Sequence, residues 1–360
     1  MLDFTHSTHV PHGGNLGEAA RRYGIARETW LDLSTGINPN GFPVPPVDAQ
    51  TWLRLPDDDD DLEAIAAAHY GAARALAVAG TQSAIRMLPA VLPKGRIGIG
   101  LLTYGEYAPA FERAAFFVDR FVTREYADMH AAAAFVLESG KPLPVDLKHL
   151  ILVNPNNPGA EQFTPEVILG WHKELAMRGG TLVIDEAFIE STPELSVAKF
   201  ADRDGLIVLR SVGKFFGLAG ARVGFVLAGA HVDRAMRYLR GPWSISGPAR
   251  IVTRAALLDT AWQVQTRIRL AASGERLACL LGQYFAGVQH TSLFCWIRDE
   301  RASRWQDALA RHGIWTRRFE VVRGLRFGLP ADEPEWARLA AALDVASQEA
   351  NGQCVRNQQD

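Results

Sequence analysis

Short apolar runs alternate with amphipathic segments between residues 75 and 227. The runs predict β-strands at Ala75–Ala79, Arg96–Leu101, Ala115–Val122, His149–Val153, Thr181–Asp185, Leu206–Arg210 and Val223–Leu227. Helical periodicity predicts helices between several of them, at Ser83–Leu92, Ala108–Ala114 and Pro165–Arg178. Such alternation predicts an α/β fold, in which a mostly parallel sheet carries helices on both faces.

The pattern changes after about residue 230. It predicts mostly helix over Val232–Leu239 and Ala249–Phe285, then a smaller β/α unit around Ser292–Ile297, Trp305–His312 and Leu325–Leu329. We therefore predict an N-terminal arm (1–45) that packs with the small domain and the active site, and a large domain (46–235). A small C-terminal α/β domain (236–346) and a polar tail (347–360) would follow.

Two shorter helices are predicted from their ends. Asn15 can cap a helix over Leu16–Tyr23. Asp57–Asp61 directly precedes the helical pattern Leu62–His69. We interpret this acidic run as a helix start rather than a binding site, because carboxylates in a first turn complement the helix dipole.

Composition excludes several classes of protein. The 360 residues are 48% hydrophobic and 22% charged, which is typical of a globular protein. A net charge of −2 gives no reason to expect nucleic acid or an anionic membrane as a partner, and no apolar run approaches a membrane span. The first residues lack the apolar core of a secretory signal. Three widely spaced cysteines, Cys279, Cys295 and Cys354, predict reduced thiols in the cytoplasm and no metal site.

Four predicted strands end in residues that could carry chemistry, at the edge where open α/β sheets bind ligands. The turn Gly80-Thr81-Gln82-Ser83 exposes backbone N–H groups at a helix N-terminus, which suits a phosphate, although an ordinary tight turn would look the same. In Asn154–Gly159 two X-Pro steps bracket two asparagines. They restrict the backbone, so we expect the amides to be held in place, with a purely structural turn as the alternative.

The other two strand ends carry charges. Asp185-Glu186 ends an apolar strand, where an acid is costly unless a cation meets it. A Walker-B magnesium site would look similar, but no GxxxxGK[ST] motif precedes it. Lys214 follows Ser211-Val212-Gly213, precedes two phenylalanines and lies eight residues before Arg222. A desolvated lysine is suited to nucleophilic chemistry, whereas a surface lysine is the ordinary alternative.

The order NPNNPG, DEAF, SxGK and GxRxG resembles the fold-type-I aminotransferases, which use pyridoxal 5′-phosphate (PLP). This resemblance implies that residues 46–235 bind PLP, with Lys214 attaching it, Asp185 holding its ring nitrogen and Asn157 its ring hydroxyl. It implies a stacking role for Tyr104, which with Lys214 and Asp185 completes the catalytic set. It also implies a phosphate cup of Ser211, Arg222, Gly80, Thr81 and Gln82.

Two branches of this family compete, histidinol-phosphate aminotransferase and threonine-phosphate decarboxylase of cobalamin biosynthesis. His12-Gly13-Gly14-Asn15, Leu31–Ser34 and Ile37-Asn38-Pro39 resemble the opening of the decarboxylases, and Phe188 replaces a tyrosine usual in the aminotransferases. The resemblance implies decarboxylation of L-threonine O-3-phosphate to (R)-1-aminopropan-2-ol O-2-phosphate. The alternatives are amino transfer from histidinol phosphate or a related amino acid, and a non-catalytic PLP-binding regulatory module.

The same resemblance implies a substrate site and a partner. Arg326 resembles the arginine that binds the substrate carboxylate, while His12, Asn157 and Arg317 complete the site, with Arg318 as an alternative to Arg317. Fold-type-I enzymes are typically homodimers with shared sites. Two positions depart from the family: Gly36 replaces an asparagine, and Leu55-Pro56 replaces a tyrosine-proline step, so that a cross-subunit contact should be absent or replaced.

Overall fold

The structure, a computed structural model, describes residues 12–350 apart from the side chain of His130. Its strands are β1 (Leu31–Leu33), β2 (Leu76–Val78), β3 (Arg96–Gly100), β4 (Phe117–Thr123), β5 (Phe135–Leu137), β6 (Leu147–Val153), β7 (Thr181–Asp185), β8 (Leu206–Ser211), β9 (Gly224–Ala228), β10 (Gln289–His290), β11 (Phe294–Arg298), β12 (Ile314–Phe319) and β13 (Gly324–Gly328). Its α-helices are α1 (Leu16–Tyr23), α2 (Gln50–Leu53), α3 (Leu62–Tyr70), α4 (Thr81–Val91), α5 (Tyr107–Arg113), α6 (Pro165–Ala176), α7 (Ala230–Arg240), α8 (Gly247–Leu258), α9 (Thr260–Leu281), α10 (Ala302–Arg311) and α11 (Glu333–Ala350). None of the helices within residues 12–350 is long and apolar enough to cross a membrane.

The described chain divides into two compact units. The large unit comprises residues 37–275 and 290–293, and the small unit comprises 12–36, 276–289 and 294–350. The large unit thus extends beyond residue 235, where the sequence analysis places the domain boundary. Helix α8 belongs to it because α8 packs on α3.

An eight-stranded sheet organises the large unit, in the order β2-β9-β8-β7-β6-β3-β4-β5. The strands from β8 to β5 pair in parallel, and β9 is antiparallel to both β2 and β8. The predicted mostly parallel α/β sheet is therefore confirmed. Every residue of β7 is buried, as expected of a central strand covered on both faces.

The core of the large unit lies against α4, α5 and α7. Ile85, Phe111 and Met236, one from each helix, are fully buried in one cluster with Val183 of β7. The alternate residues of β7 face the other side of the sheet, where α6 contacts β6 and β7. This two-sided packing holds the strand ends in place, and the candidate site lies at those ends.

A five-stranded sheet organises the small unit, in the order β1-β12-β13-β11-β10. Strand β1 runs parallel to β12, with Leu31 opposite Ile314, whereas β13 is antiparallel to β12 and β11. Tyr23, Trp30 and Trp315 pack edge to face with ring centres 5.9–6.3 Å apart. The N-terminal residues before β1 are thereby tied into the small unit.

Several predicted elements differ from the structure. The helix expected over Ala249–Phe285 is two helices, α8 and α9, separated at Asp259. Helix α11 continues to Ala350 and so includes the first residues of the polar tail expected from residue 347; Ala346 and Ala350 are buried, which holds the last turns in place. Residues 351–360 lie outside the described chain.

The acidic run does more than start a helix. Asp60 accepts a hydrogen bond from Leu62 N at 3.0 Å, and α3 begins at Leu62 as expected. However, Asp60 also accepts a hydrogen bond from Arg250 Nε at 2.8 Å, and Asp58 accepts one from Arg250 Nη1 at 3.1 Å. Because Arg250 is only 2% exposed, these aspartates hold α8 against α3 as well as starting a helix.

Candidate active site

Asp185 at the end of β7 is buried and doubly hydrogen-bonded. Tyr107 Oη donates to Oδ2 at 2.7 Å, and the Ala187 amide donates to Oδ1 at 3.0 Å. Desolvation raises the pKa of Asp185, and these two bonds and the nearby Lys214 lower it. Glu186 is used differently: it pairs with buried Arg210 at 2.8 Å. Only Asp185 of this acidic pair belongs to the candidate site.

Lys214 lies on the loop after β8, which is held by Asn38 of the N-terminal arm. Its side chain is half-buried, and Nζ lies 5.6 Å from the ring centre of Phe188. Asn38 N donates to the Lys214 carbonyl at 3.0 Å, and Asn38 Nδ2 donates to the Phe215 carbonyl at 2.8 Å. Asn38 is 2% exposed, so the lysine loop rests on a buried amide.

The turn before α4 forms a cradle with Arg222. Gly80 has φ +71°, which is strained for a residue with a side chain, and a Cβ there would lie 2.5 Å from Arg222 Nη2, so a larger residue would displace the guanidinium. Arg222 itself has φ +54°, and its Nη1 donates to the Ala219 carbonyl at 3.3 Å. A cation thus lies over the first turn of α4, which starts at Thr81, where free N–H groups favour an anion. Ser211 Oγ, at the end of β8, accepts from Gly213 N at 3.2 Å.

Tyr104 is tied to this turn through Gln82. Tyr104 Oη donates to Gln82 Oε1 at 3.1 Å, and Gln82 Nε2 donates to Glu106 Oε2 at 2.7 Å. Burial, Glu106 and Asp185 raise the pKa of Tyr104 to about 12. The phenol therefore stays neutral and fixes its ring, half-buried, at the edge of the site.

The three asparagines of the loop after β6 differ in burial. Asn154 Oδ1 accepts from Phe163 N at 2.8 Å, and Asn156 Nδ2 donates to Leu102 O at 2.9 Å. Both asparagines are buried. Asn157 is half-buried, so it is the most exposed of the three asparagines.

The small unit gathers its own cationic group. Arg326 and Arg317 are opposite each other on β13 and β12, and Arg326 Nη2 donates to the Ser34 carbonyl at 2.7 Å. Burial, and then Arg317, lower the pKa of Arg326 to about 9, while Asp32 raises it. Arg318 pairs instead with Ser303 and Glu320. Arg317, not Arg318, therefore accompanies Arg326.

The opening glycines pack on the same group. Gly14 N donates to Ser34 Oγ at 2.7 Å, and a Cβ on Gly13 would lie 2.3 Å from the Ser34 carbonyl oxygen. His12, next to them, is exposed. The glycine motif that opens the described chain therefore packs against Ser34, whose carbonyl accepts the hydrogen bond from Arg326.

Comparison with known proteins identifies the family of the chain. The chain matches the family described as Aminotransferase class I and II over residues 31–347, and it belongs to that family. It is 46% identical over 335 residues to the threonine-phosphate decarboxylase of Pseudomonas aeruginosa, across 93% of this chain and 97% of that protein. It is 41% identical over 348 residues to a threonine-phosphate decarboxylase of a Sinorhizobium species, across 94% of this chain and 98% of that protein. The family resemblance is confirmed.

Solved structures share the fold. The histidinol-phosphate aminotransferase from Sinorhizobium meliloti, in complex with pyridoxal-5′-phosphate, has a TM-score of 0.74 at 19% identity, covering 96% of this chain and 98% of that one. The L-threonine-O-3-phosphate decarboxylase from Porphyromonas gingivalis has a TM-score of 0.69 at 17% identity, covering 87% of this chain and 98% of that one. The predicted fold-type-I class is confirmed.

PLP is the cofactor of this family, and the donor set in the large unit fits it. A buried carboxylate suits a protonated ring nitrogen, and Asp185 offers one. The cradle at Gly80, which a Cβ would fill, places Arg222 over a helix N-terminus and suits a phosphate. Lys214, whose charge acts on Asp185, is an amine near enough to interact with that acid.

Sequence reasoning missed three residues of this site. Tyr107 bonds Asp185, Asn38 supports the Lys214 loop, and Glu106 fixes Gln82. Tyr107 and Glu106 belong to the segment Thr103–Tyr107 that supplied Tyr104, so their proximity in sequence was a usable signal. Asn38 lies far from Lys214 in the chain, and only the fold brings them together.

Proposed function

We propose that the protein is a PLP-dependent carboxy-lyase that converts L-threonine O-3-phosphate into (R)-1-aminopropan-2-ol O-2-phosphate and CO₂, a step of cobalamin biosynthesis. The observation that carries this proposal is the 46% identity, over 93% of the chain, to a protein named threonine-phosphate decarboxylase. The buried Asp185, the Lys214 loop and the Arg222 cradle support it as the machinery of such an enzyme.

The residues of the large unit bind and orient the cofactor. Lys214 would attach it, Asp185 would keep a proton on its ring nitrogen, and Asn157 would donate to its ring hydroxyl. Tyr104 would stack on the ring. Arg222, Ser211 and the turn of Gly80, Thr81 and Gln82 would bind the phosphate. Bound PLP would supply an electron sink for the electron pair left when the carboxylate departs as CO₂. Lys214 Nζ, once the substrate amine has displaced it from the cofactor, would return a proton to the substrate α-carbon.

The substrate has two anionic ends, and we assign each to a cation of the small unit. Arg326 binds the carboxylate as a planar fork, which suits two parallel hydrogen bonds. His12, with Arg317 as a second cation, binds the phosphate. Asn157 contacts substrate as well as cofactor.

The proposal includes a homodimer in the cytoplasm. Trp52, Leu53 and Leu55 are 68–76% exposed, and Trp243 is 55% exposed, so apolar side chains around α2 and α8 are available to a second copy. Leu55 replaces the tyrosine that family members place across the subunit boundary. Neither Cys279 nor Cys295 forms a disulfide bond within residues 12–350, which supports a reducing compartment.

A direct assay tests the activity. The holoenzyme is incubated with L-threonine O-3-phosphate while CO₂ release is measured, beside amino transfer with histidinol phosphate and 2-oxoglutarate. We expect CO₂ release and negligible amino transfer, and we expect Lys214→Ala to abolish turnover. Amino transfer without CO₂ release would assign the protein to the aminotransferase branch. PLP binding with neither reaction would favour the non-catalytic module.

A further inference from the structure

Glu161 carries a carboxyl group that the chemistry above does not use. It is half-buried directly after the asparagine loop. Asn156 Nδ2 donates to its Oε2 at 2.8 Å, and Thr123 Oγ1 donates to its Oε1 at 3.1 Å. Desolvation raises the pKa of Glu161, and these two hydrogen bonds lower it. Burying a carboxyl group costs free energy unless hydrogen bonds compensate for the lost water. The two residues that donate these bonds, Asn156 and Thr123, therefore indicate which part of the structure Glu161 stabilises.

The Asn156 side chain links Glu161 by hydrogen bonds to two loops that carry proposed cofactor-binding residues. Its Nδ2 also donates to the Leu102 carbonyl at 2.9 Å, and its Oδ1 accepts from Thr103 Oγ1 at 3.0 Å. Tyr104 follows Thr103 directly, and Asn157 follows Asn156. The side-chain amide of Asn156, fixed by Glu161, therefore joins the loop that carries Tyr104 to the loop that carries Asn157.

Gly159 leaves the space in which this carboxyl group lies. A Cβ at Gly159 would lie 2.0 Å from Glu161 Oε2. The backbone N–H of Asn156 donates to the Glu161 backbone carbonyl at 2.9 Å. The glycine that ends the NPNNPG motif thus vacates the space that the carboxyl group occupies. The motif and Glu161 form one closed turn.

We propose that Glu161 is a positioning residue that fixes Asn157 and Tyr104 around the cofactor by immobilising Asn156. The inference rests on the proposed function in one respect only, that PLP occupies this site. Without the carboxyl group, Asn156 loses an acceptor and Thr123 loses its partner, so both loops gain freedom and the contacts of Asn157 and Tyr104 weaken.

The test measures cofactor binding and its spectrum rather than turnover. The apo-protein is titrated with PLP, and the visible absorbance of the bound form is followed against pH. Glu161→Met, which keeps the volume and removes the polar atoms, should weaken PLP affinity about tenfold, the effect of losing about one hydrogen bond to a charged group. It should also raise the pH at which the absorbance band changes, because the Asn157 donor stabilises the ionised ring oxygen.

Two further variants separate position from charge. Glu161→Gln should stay close to wild type, because its amide oxygen can accept from Asn156 and its amide nitrogen can donate to Thr123 Oγ1. Glu125→Gln removes a neighbouring exposed carboxylate that raises the pKa of Glu161, and it should change neither affinity nor band. A Glu125→Gln effect equal to that of Glu161→Met would make the role one of charge and overturn the inference.

The remaining outcomes are decisive as well. A lower melting temperature of the apo-protein with unchanged PLP affinity and spectrum would assign Glu161 to folding alone and overturn the inference. If Glu161→Met does not fold, Thr103→Val breaks the same connection on the other side of Asn156, and an unshifted band in that variant overturns it. A wild-type protein that binds no PLP overturns the proposed function and this inference together.

Discussion

At the scale of single residues, the charge state of Asp185 is set by a balance of opposing contacts. Desolvation favours the protonated acid, whereas Tyr107, the Ala187 amide and Lys214 favour the carboxylate. The carboxylate is the form that keeps a proton on the cofactor ring. Tyr107, itself fully buried, is the side chain that donates a hydrogen bond to Asp185 in this balance.

Tyr107→Phe should therefore shift the acid limb of the pH profile. Loss of the phenol hydroxyl raises the pKa of Asp185 further, so on acidification kcat should fall at a higher pH than in the wild type. The hydrogen bond that is lost stabilises the carboxylate by about 1.5–3 kcal/mol. The pH dependence of kcat measures this shift. Tyr70→Phe is the control, since Tyr70 is also buried but its hydroxyl forms no hydrogen bond with Asp185. An unchanged acid limb in Tyr107→Phe would contradict the role.

The burial of Arg326 leads us to expect that KM for threonine phosphate changes at alkaline pH. Its pKa of about 9 means that the guanidinium charge is present below that pH and is lost as the pH rises through it. KM for threonine phosphate should therefore rise above about pH 9. Because Arg317 lowers the pKa of Arg326, Arg317→Ala should move this rise to higher pH. Arg318→Ala, which removes a cation paired elsewhere, should leave its position unchanged; a limb that is the same in all three proteins would belong to the substrate.

At the scale of elements, the acidic run and α8 make a stability prediction. Asp60→Asn leaves buried Arg250 with Asp58 alone and should cost about 1–3 kcal/mol of unfolding free energy. The pKa of Asp60 is lowered in the folded state, so its contribution is present above its unfolded pKa and is lost as the pH falls through the folded value. The deficit of the variant should accordingly vanish in acid.

Urea unfolding at neutral and at acidic pH measures this deficit. Asp61→Asn is the matched control: its partner Arg254 is 36% exposed, so the pair should contribute under about 1 kcal/mol. Equal losses in the two variants would show that Arg250 does not depend on Asp60.

The same scale shows what sequence patterns can predict. Helix α1 and strand β7 have the predicted bounds, because a cap or a continuous apolar run marks their ends. Helix α11 was missed, since many of its buried positions are alanines and give weak periodicity. The strand-end motifs predicted Asp185 and Lys214 as neighbours, but Asn38 and Arg250 act across long stretches of sequence. Contacts of that kind carry no local pattern.

At the scale of the whole molecule, the exposed apolar side chains around α2 predict self-association. The double variant Trp52→Ser/Leu55→Ser should convert a dimer into a monomer in sedimentation velocity experiments, because it removes large exposed apolar area from the candidate interface. Val145→Ser, at an apolar residue 88% exposed elsewhere, should remain dimeric. A wild-type monomer, or a double variant that stays dimeric, would contradict the proposed interface.

The parallel pairing of β1 with β12 has a consequence for how the protein is made. Leu31 pairs with Ile314, about 280 residues later, so the first strand leaves the ribosome long before its partner exists. At about 5–20 residues per second, it waits roughly 15–55 s, during which the whole eight-stranded sheet can be synthesised. A nascent chain stalled before residue 314 should expose β1 and its aromatic neighbours to chaperones. Limited proteolysis of such stalled chains should cut near residue 30 while sparing the large sheet.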